Sequence, residues 1–405
     1  MARPQKVLHI LNSAAGGAAL STIGIIESLK QQGIDACAVC HSGGSEVERE
    51  HLRQVTGGAV LFTPLYWWNR KVRAKVWKRP LIELMQLRRT GFRRGSVQRV
   101  VEFAREHGAD LIHTNTICTP EGGAAAQQLG LPHVWHLREL LGPGRPFRLP
   151  LEGPALGRYM AERCSRLVAN SEVTASTVRA WLPEGLLEIV PNGIDLSRYG
   201  VKEPKPDGEP LVVAMVGSIT SAWKKHPLFV EAAARVDRAL PLEFRIYGHD
   251  PSEGGRVRGN EYADALQDLI DRHDLRQRFT FPGFKSDPVE IMSEIDILVH
   301  VADHESFGRV IVEGMATGLP VVGVRGGGVG EIVVHDQTGI LAVPDDPQGL
   351  AEGIERLGRD RELRRTMGLA GRQRAEETYS LESCAAGILR VYEAVMNQPV
   401  RGNAA

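Results

Sequence analysis

Short apolar runs that end in polar or glycine-rich turns, each followed by a helical pattern, recur along this chain. Val7 to Leu11 leads into Ala15-Gly16-Gly17-Ala18, and a helix is predicted from about Leu20 to Gln32. Asp110-Leu111-Ile112-His113, Pro132-His133-Val134-Trp135-His136 and Arg166-Leu167-Val168-Ala169-Asn170 read as further strands. Ser171 then stands as N-cap of a helix carrying Val173, Thr177 and Val178, since a small hydroxyl there satisfies open N–H groups of the first turn. The pattern breaks at Lys202-Glu203-Pro204-Lys205-Pro206-Asp207-Gly208-Glu209-Pro210, which is Pro-rich, lacks apolar anchors and reads as a linker. It restarts with Leu211 to Gly217, and strands are predicted at 243–248, 279–281, 295–300 and 320–324. Strands alternating with helices imply parallel sheets covered on both faces.

The expected architecture is therefore α/β, with two doubly wound Rossmann-like domains. The first spans 1–195, a linker 196–210, the second 211–378, and residues 379–405 form a last helix (Leu381 to Met396) that crosses back, with a tail. Ligands of such sheets bind beyond the C-terminal strand ends, and the cleft between two domains is the expected site.

Composition narrows this picture. The chain has 405 residues, enough for two or three domains, and Lys plus Arg equals Asp plus Glu at 49 each, so no overall bias toward polyanions exists. The five cysteines are scattered. Cys37 and Cys40 lie in a strand-like run with no second pair at zinc-ligand spacing, so buried free thiols are expected. The apolar run at Lys6 to Leu11 is too short for a signal peptide or membrane span, and a cytoplasmic compartment is expected.

The densest chemical signal is Glu305-Ser306-Phe307-Gly308-Arg309-Val310-Ile311-Val312-Glu313-Gly314-Met315-Ala316. It follows a strand, and Ser306 to Gly308 should open a helix whose unpaired N–H groups suit a phosphate. A lone Glu on a helix is ordinarily solvated, but Glu313 sits among Val310, Ile311, Val312 and Met315, which disfavours a solvent-facing position.

These residues resemble the paired-glutamate motif of the retaining glycosyltransferases of family 4, which have the GT-B fold. Further segments match in order. Ala15 to Ala18 resembles the first glycine loop, and Trp135-His136-Leu137-Arg138-Glu139 the H-x-R-E loop of members that build bacterial surface polysaccharides. Val190-Pro191-Asn192-Gly193-Ile194-Asp195 is similar to the PNG-I/V-D segment, and Phe281-Pro282-Gly283-Phe284 to the F-x-G turn. Gly326 to Ile332 and Thr338 to Val343 complete the set, which spans about 7 to 347.

The resemblance implies a metal-independent hexosyltransferase with no cofactor, using a nucleotide-sugar, UDP- or GDP-linked, as donor substrate. Glu313 would accept hydrogen bonds from the donor ribose, since a carboxylate takes two such donors. Glu305 would contact the transferred sugar, and Lys224 would neutralise the pyrophosphate. Catalytic roles fall to His136, Lys224 and Glu305. Donor contacts are expected from Gly16, Gly17, Ser218, Lys225, Gly283, Phe284, Ser306, Phe307, Gly308, Arg309 and Val310, and acceptor-side contacts from Asn115, His136, Arg138 and Glu139. One position departs from the family. Ser218 stands where a phosphate-clamping Arg is usual, and Lys225 or, preferably, Arg309 is expected to supply the second positive charge.

Residues 66–99 carry a local charge bias. From Trp67 to Arg99 there are eleven basic side chains against one acid, Glu83, with Tyr66, Trp67, Trp68 and Trp77 among them. A basic amphipathic stretch with Trp reads as a membrane-surface element. A solvated insertion is the plain alternative, and no nucleic-acid module is recognisable. The expected acceptor is thus a glycan, lipid-linked or close to the inner face of a membrane. Rival readings are an epimerase or hydrolase of nucleotide-sugars on the same fold, and a catalytically silent nucleotide-sugar-binding protein.

Overall fold

The computed structural model describes residues 2–43, 46–68, 94–142, 149–219, 222–248 and 261–398. They divide into two compact units, Met1–Gly193 with Leu381–Ala405, and Ile194–Ser380. Most of the basic segment, residues 69–93, lies outside the described residues.

The first unit is built on seven strands: β1 (Lys6–Leu11), β2 (Asp35–His41), β3 (Val60–Thr63), β4 (Leu111–Thr114), β5 (His133–Leu137), β6 (Arg166–Ala169) and β7 (Leu187–Ile189). Their order is β3-β2-β1-β4-β5-β6-β7, all parallel. Strands covered on both faces must be apolar at nearly every position, and β1, β4 and β5 are buried almost throughout. Val7, Leu111, Val134 and Val168 point to one face, where Ile25 and Leu29 of the Gly16–Gln31 helix meet Ile388, Val391 and Tyr392 of the Leu381–Met396 helix. Leu8, Ile10 and Ile112 point to the other, against Val97, Val100 and Phe103. All five cysteines are free and buried. Ser171 accepts a hydrogen bond from Thr174 N at 3.1 Å, but the helix it caps is short, Glu172–Ser176, and a single 3-10 turn, Arg179–Trp181, follows.

The second unit has six strands: β8 (Leu211–Val216), β9 (Leu242–Tyr247), β10 (Phe279–Gly283), β11 (Ile297–His300), β12 (Val321–Val324) and β13 (Gly339–Ala342). Their order is β10-β9-β8-β11-β12-β13, again all parallel. One face carries Val213, Met215, Val299 and Val322 with the ring cluster of Phe229, Phe244 and Phe279. The opposite face carries Ala214, Leu298 and Val321 against Ile311, Val312 and Met315 of the Arg309–Ala316 helix. Gly314 lies on that helix directly against the Leu298 side chain, with no room for a Cβ.

The stretch expected as a linker, 196–210, is held on the second unit instead. Lys202 and Lys205 place their ammonium groups 2.9 and 2.8 Å from the two oxygens of buried Asp296. Buried Tyr199, with Leu196 packed against the same core, anchors the first turn of the stretch. In each sheet the strand order reverses beside the first strand, between β1 and β4 and between β8 and β11. Ligands of open α/β sheets bind beyond the C-terminal ends of such strand pairs.

Candidate active site

After β8 the chain turns through Gly217 and Ser218 and makes a single 3-10 turn at Ala222–Lys224. After β11 it runs from Val301 to Gly308, the N-cap of the Arg309–Ala316 helix. The two connections meet. Lys224 Nζ donates to Glu305 Oε2 at 2.7 Å, and His300 Nε2 lies 3.6 Å from the same oxygen. The Lys224 ammonium also sits 4.2 Å from the centroid of the Trp223 ring. Burial alone would raise the Glu305 pKa, but the Lys224 ammonium, with the His300 ring beside it, outweighs burial and holds the carboxyl at about 2. Glu305 is therefore a fixed anion. Burial keeps His300 below its ordinary value despite that anion.

Beside this pair, Lys225 donates to Asp303 and Asp345, each at 2.7 Å. Burial opposes its charge, yet the two carboxylates raise its pKa above the ordinary value. The 303–307 loop is held from behind, where Gly328 N donates to Glu305 O at 2.8 Å. Gly327, at φ 53°, approaches the Glu305 backbone so closely that any side chain would collide with it. Gly326 and Gly328 on either side also lie close against Asp303 and the Phe307 backbone, which accounts for the three consecutive glycines.

Gly308 adopts φ 99° and gives the helix no side-chain cap, and the positive end of the helix dipole lies there. Phe307 is buried, edge-on to Tyr379 at 5.7 Å. Glu313 is only 6% exposed, confirming that it does not face solvent. Arg309 Nε donates to Glu313 Oε1 at 2.8 Å. Burial raises the Glu313 pKa and Arg309 opposes that rise. Neither candidate for the second positive charge is spare, because Arg309 is committed to Glu313 and Lys225 to two aspartates. Gly283, at φ 81°, ends β10, and Phe284 beyond it is 63% exposed.

In the first unit, Gly16, at φ 84°, opens the Gly16–Gln31 helix with Gly17, and Ala15 at its N-cap provides no side-chain hydrogen bond. Two residues beyond the core positions Val7, Leu111 and Val134, the same sheet face carries His9, His113 and His136. His113 and His136 stack at 5.4 Å, His9 and His113 lie 5.2 Å apart, and His113 Nδ1 is 2.6 Å from the Tyr392 hydroxyl. Burial lowers the His9 pKa to about 3 and holds His113 and His136 well below the ordinary value. His136 is wholly buried, and its Nε2 meets no hydrogen-bond donor or acceptor among the described residues. Asn115 accepts from the Thr22 hydroxyl at 3.0 Å. Arg138 donates to Asn192 Oδ1, and Glu139 accepts from Thr116, Ile117 N and Arg138 N. Burial raises the Glu139 pKa against those hydrogen bonds. Arg138 and Glu139 thus anchor the 138–139 turn internally.

Sequence reasoning missed several members of these clusters. His300, Asp303 and Asp345 carry no local signal, because their partners lie in distant loops. His9 and His113 could have been found by aligning strand ends, since each occupies the same position as His136 relative to its strand's buried valine or leucine.

Residues 15–198 match the family model described as Glycosyltransferase Family 4, and residues 201–374 the one described as Glycosyl transferases group 1. An uncharacterized glycosyltransferase of Methanocaldococcus jannaschii is 41% identical over 293 residues, covering 71% of this chain and 76% of that protein. The chain belongs to glycosyltransferase family 4. N-acetyl-alpha-D-glucosaminyl L-malate synthase of Bacillus anthracis is 31% identical over 173 residues, 43% of this chain, and the match spans less than half (43%) of that relative's length. HepE of Anabaena, solved in complex with UDP and glucose, superposes with a TM-score of 0.74 at 23% identity, covering 96% of this chain and 100% of the other. This family 4 chain accordingly has the GT-B architecture of two Rossmann-like domains. No helix among its described residues is long and apolar enough to cross a membrane.

Proposed function

We propose that the protein is a retaining, metal-independent glycosyltransferase that moves a hexose from a UDP- or GDP-sugar to a hydroxyl of a lipid-linked or membrane-proximal glycan. The observation that carries this reading is the Lys224–Glu305 pair beside His300, at the strand-order reversal of the second unit. A donor pyrophosphate there would draw the Lys224 ammonium to itself. Glu305, a fixed acceptor, would then be freed for hydroxyls of the transferred sugar. Glu313 takes the ribose hydroxyls, and the start of the Arg309–Ala316 helix faces the phosphate oxygens with the favourable end of its dipole. The UDP and glucose bound by HepE support a UDP-linked donor.

In the transfer step the bond from the anomeric carbon to the diphosphate oxygen breaks, and the acceptor oxygen bonds to that carbon on the same face. The acceptor proton passes to the departing phosphate oxygen. Lys224 stabilises the negative charge that grows on the leaving group, a placement most effective where water is excluded. The basic residues of 66–99 favour an acceptor held at an anionic surface.

The test is incubation with UDP- and GDP-hexoses and a membrane lipid extract, with and without EDTA, followed by proton NMR of the glycoside formed. The donor's anomeric configuration in the product, formed equally well under EDTA, is the expected result. An inverted product, or one lost to EDTA, refutes the mechanism. Ser218, in place of the usual clamping Arg, favours the catalytically silent reading, and nucleotide binding without any product would establish it.

A further inference from the structure

Lys225 sits at φ 56°, in the left-handed region, as the N-cap of the His226–Ala233 helix, yet makes no side-chain capping bond. That conformation is costly for a residue with a Cβ and persists only where surrounding contacts impose it. The backbone of the turn is held by Lys225 N donating to Ala222 O at 3.1 Å and Leu228 N donating to Lys225 O at 3.0 Å, and the side chain is held by two aspartates. Asp303 lies in the connection after β11, two residues before Glu305, and Asp345 lies in the connection after β13. One ammonium thus joins three loops at the C-terminal edge of the sheet. Lys224–Glu305 and Lys225–Asp303 form two adjacent rungs between the same pair of loops, each rung 2.7 Å long. A phosphate arriving at Lys225 would have to displace a carboxylate, whereas Lys224 answers to one carboxylate that itself has a role toward the sugar.

We infer that Lys225 is a positioning residue, a strut that holds Lys224 opposite Glu305 in readiness for the donor diphosphate, and that it is not the second phosphate-binding charge. The inference rests on the donor site proposed above. It assigns the left-handed turn a purpose: consecutive lysines on such a turn send one ammonium to the ligand position and the other into the scaffold.

The experiment is a double-mutant cycle on the full chain, read by calorimetric affinity for UDP, GDP and ADP. Lys225→Met is expected to weaken the nucleotide that binds wild type by about tenfold, the scale of one charge-assisted hydrogen bond. Lys225→Gly, which accepts φ 56° without strain, is expected to lose as much while keeping the fold, and Lys225→Arg to retain most of the affinity. In a Lys224→Met background, removing Lys225 is expected to cost nothing further, because the strut then holds nothing that meets phosphate. Losses that multiply in the double variant overturn the inference, since they mean that Lys225 touches phosphate itself. Wild-type affinity in both Lys225→Met and Lys225→Gly overturns it as well. If none of the three nucleotides binds wild type, the donor site falls and takes the strut's purpose with it, an outcome distinct from both of the others.

Discussion

Glu305 and Glu313 stand in one short segment and are driven in opposite directions. Lys224 holds Glu305 ionised, while burial raises the Glu313 pKa. A carboxylate that must accept ribose hydroxyls has to be deprotonated, so donor binding at Glu313 expels a proton whenever that group is partly protonated. Affinity for a nucleotide-sugar, whose pyrophosphate does not titrate near neutrality, is therefore expected to fall as pH is lowered from neutrality toward the ordinary carboxylate range, and Glu313→Gln should flatten that dependence. A pH series of binding isotherms checks it, and an equal slope in the variant would remove Glu313 from the ribose. Gly327 offers a second test at this scale. An alanine there must leave φ 53° or push back the Glu305 backbone. Gly327→Ala is expected to cost about 1–3 kcal/mol of stability and to weaken the nucleotide with it. Urea unfolding measured beside binding would show either both effects or a misplaced loop contact.

At the scale of elements, β1, β4 and β5 each carry a buried histidine in their C-terminal halves, on the sheet face that packs against the Leu381–Met396 helix. A histidine held neutral in the fold, with its pKa below 6.5, stabilises the native state fully above its unfolded pKa. That stability is lost as pH falls from about 6.5 toward the folded value, because the unfolded chain binds the proton first. His9, at about 3, has the whole of this window below 6.5. Each such group steepens the fall by up to about 1.4 kcal/mol per pH unit. Glu139, raised by burial, works against the trend. Unfolding free energy measured between about pH 7 and about pH 5 should decline less steeply for His113→Asn than for wild type, whatever the variant's absolute stability. An unchanged slope would mean that His113 is not held neutral by the fold. The strands bearing these histidines were legible because runs such as Val7 to Leu11 must be apolar on both faces. β3, β7 and β13 were not, being three or four residues long and without a run that a loop could not also contain. Glu313 was legible for the same reason as the strands: a charged residue amid Val310, Ile311 and Met315 conflicts with its surroundings and so draws notice, whereas Glu305 was found only through its resemblance to the family motif. Asp303 and Asp345 conflict with nothing local, and only the folded loops bring them to Lys225.

For the whole molecule, two doubly wound sheets followed from the restart of the strand pattern at Leu211. The 196–210 stretch misled because its prolines and charges resemble a free linker, while its lysines serve as anchors on Asp296. The basic segment makes a prediction that concerns the molecule as a unit. Vesicles rich in anionic lipid should bind the protein at low salt, and replacing Arg70, Lys71, Arg73, Lys75, Lys78 and Arg79 with serine should abolish that binding, at about 1 kcal/mol per charge. Cosedimentation decides it, and equal binding by the variant would leave 66–99 as a solvated insertion.

In the proposed function, the second unit binds a nucleotide-sugar through Lys224, Glu305 and Glu313. The measurement that tests it most directly is the melting temperature of wild type and Glu313→Ala with UDP-, GDP- and ADP-sugars in chelated buffer, because a ligand of the native state raises stability as ln(1 + [L]/Kd). One nucleotide class should raise the wild-type melting temperature and leave the variant unmoved. No shift in wild type with any of the three, or an equal shift in both proteins, would contradict the account.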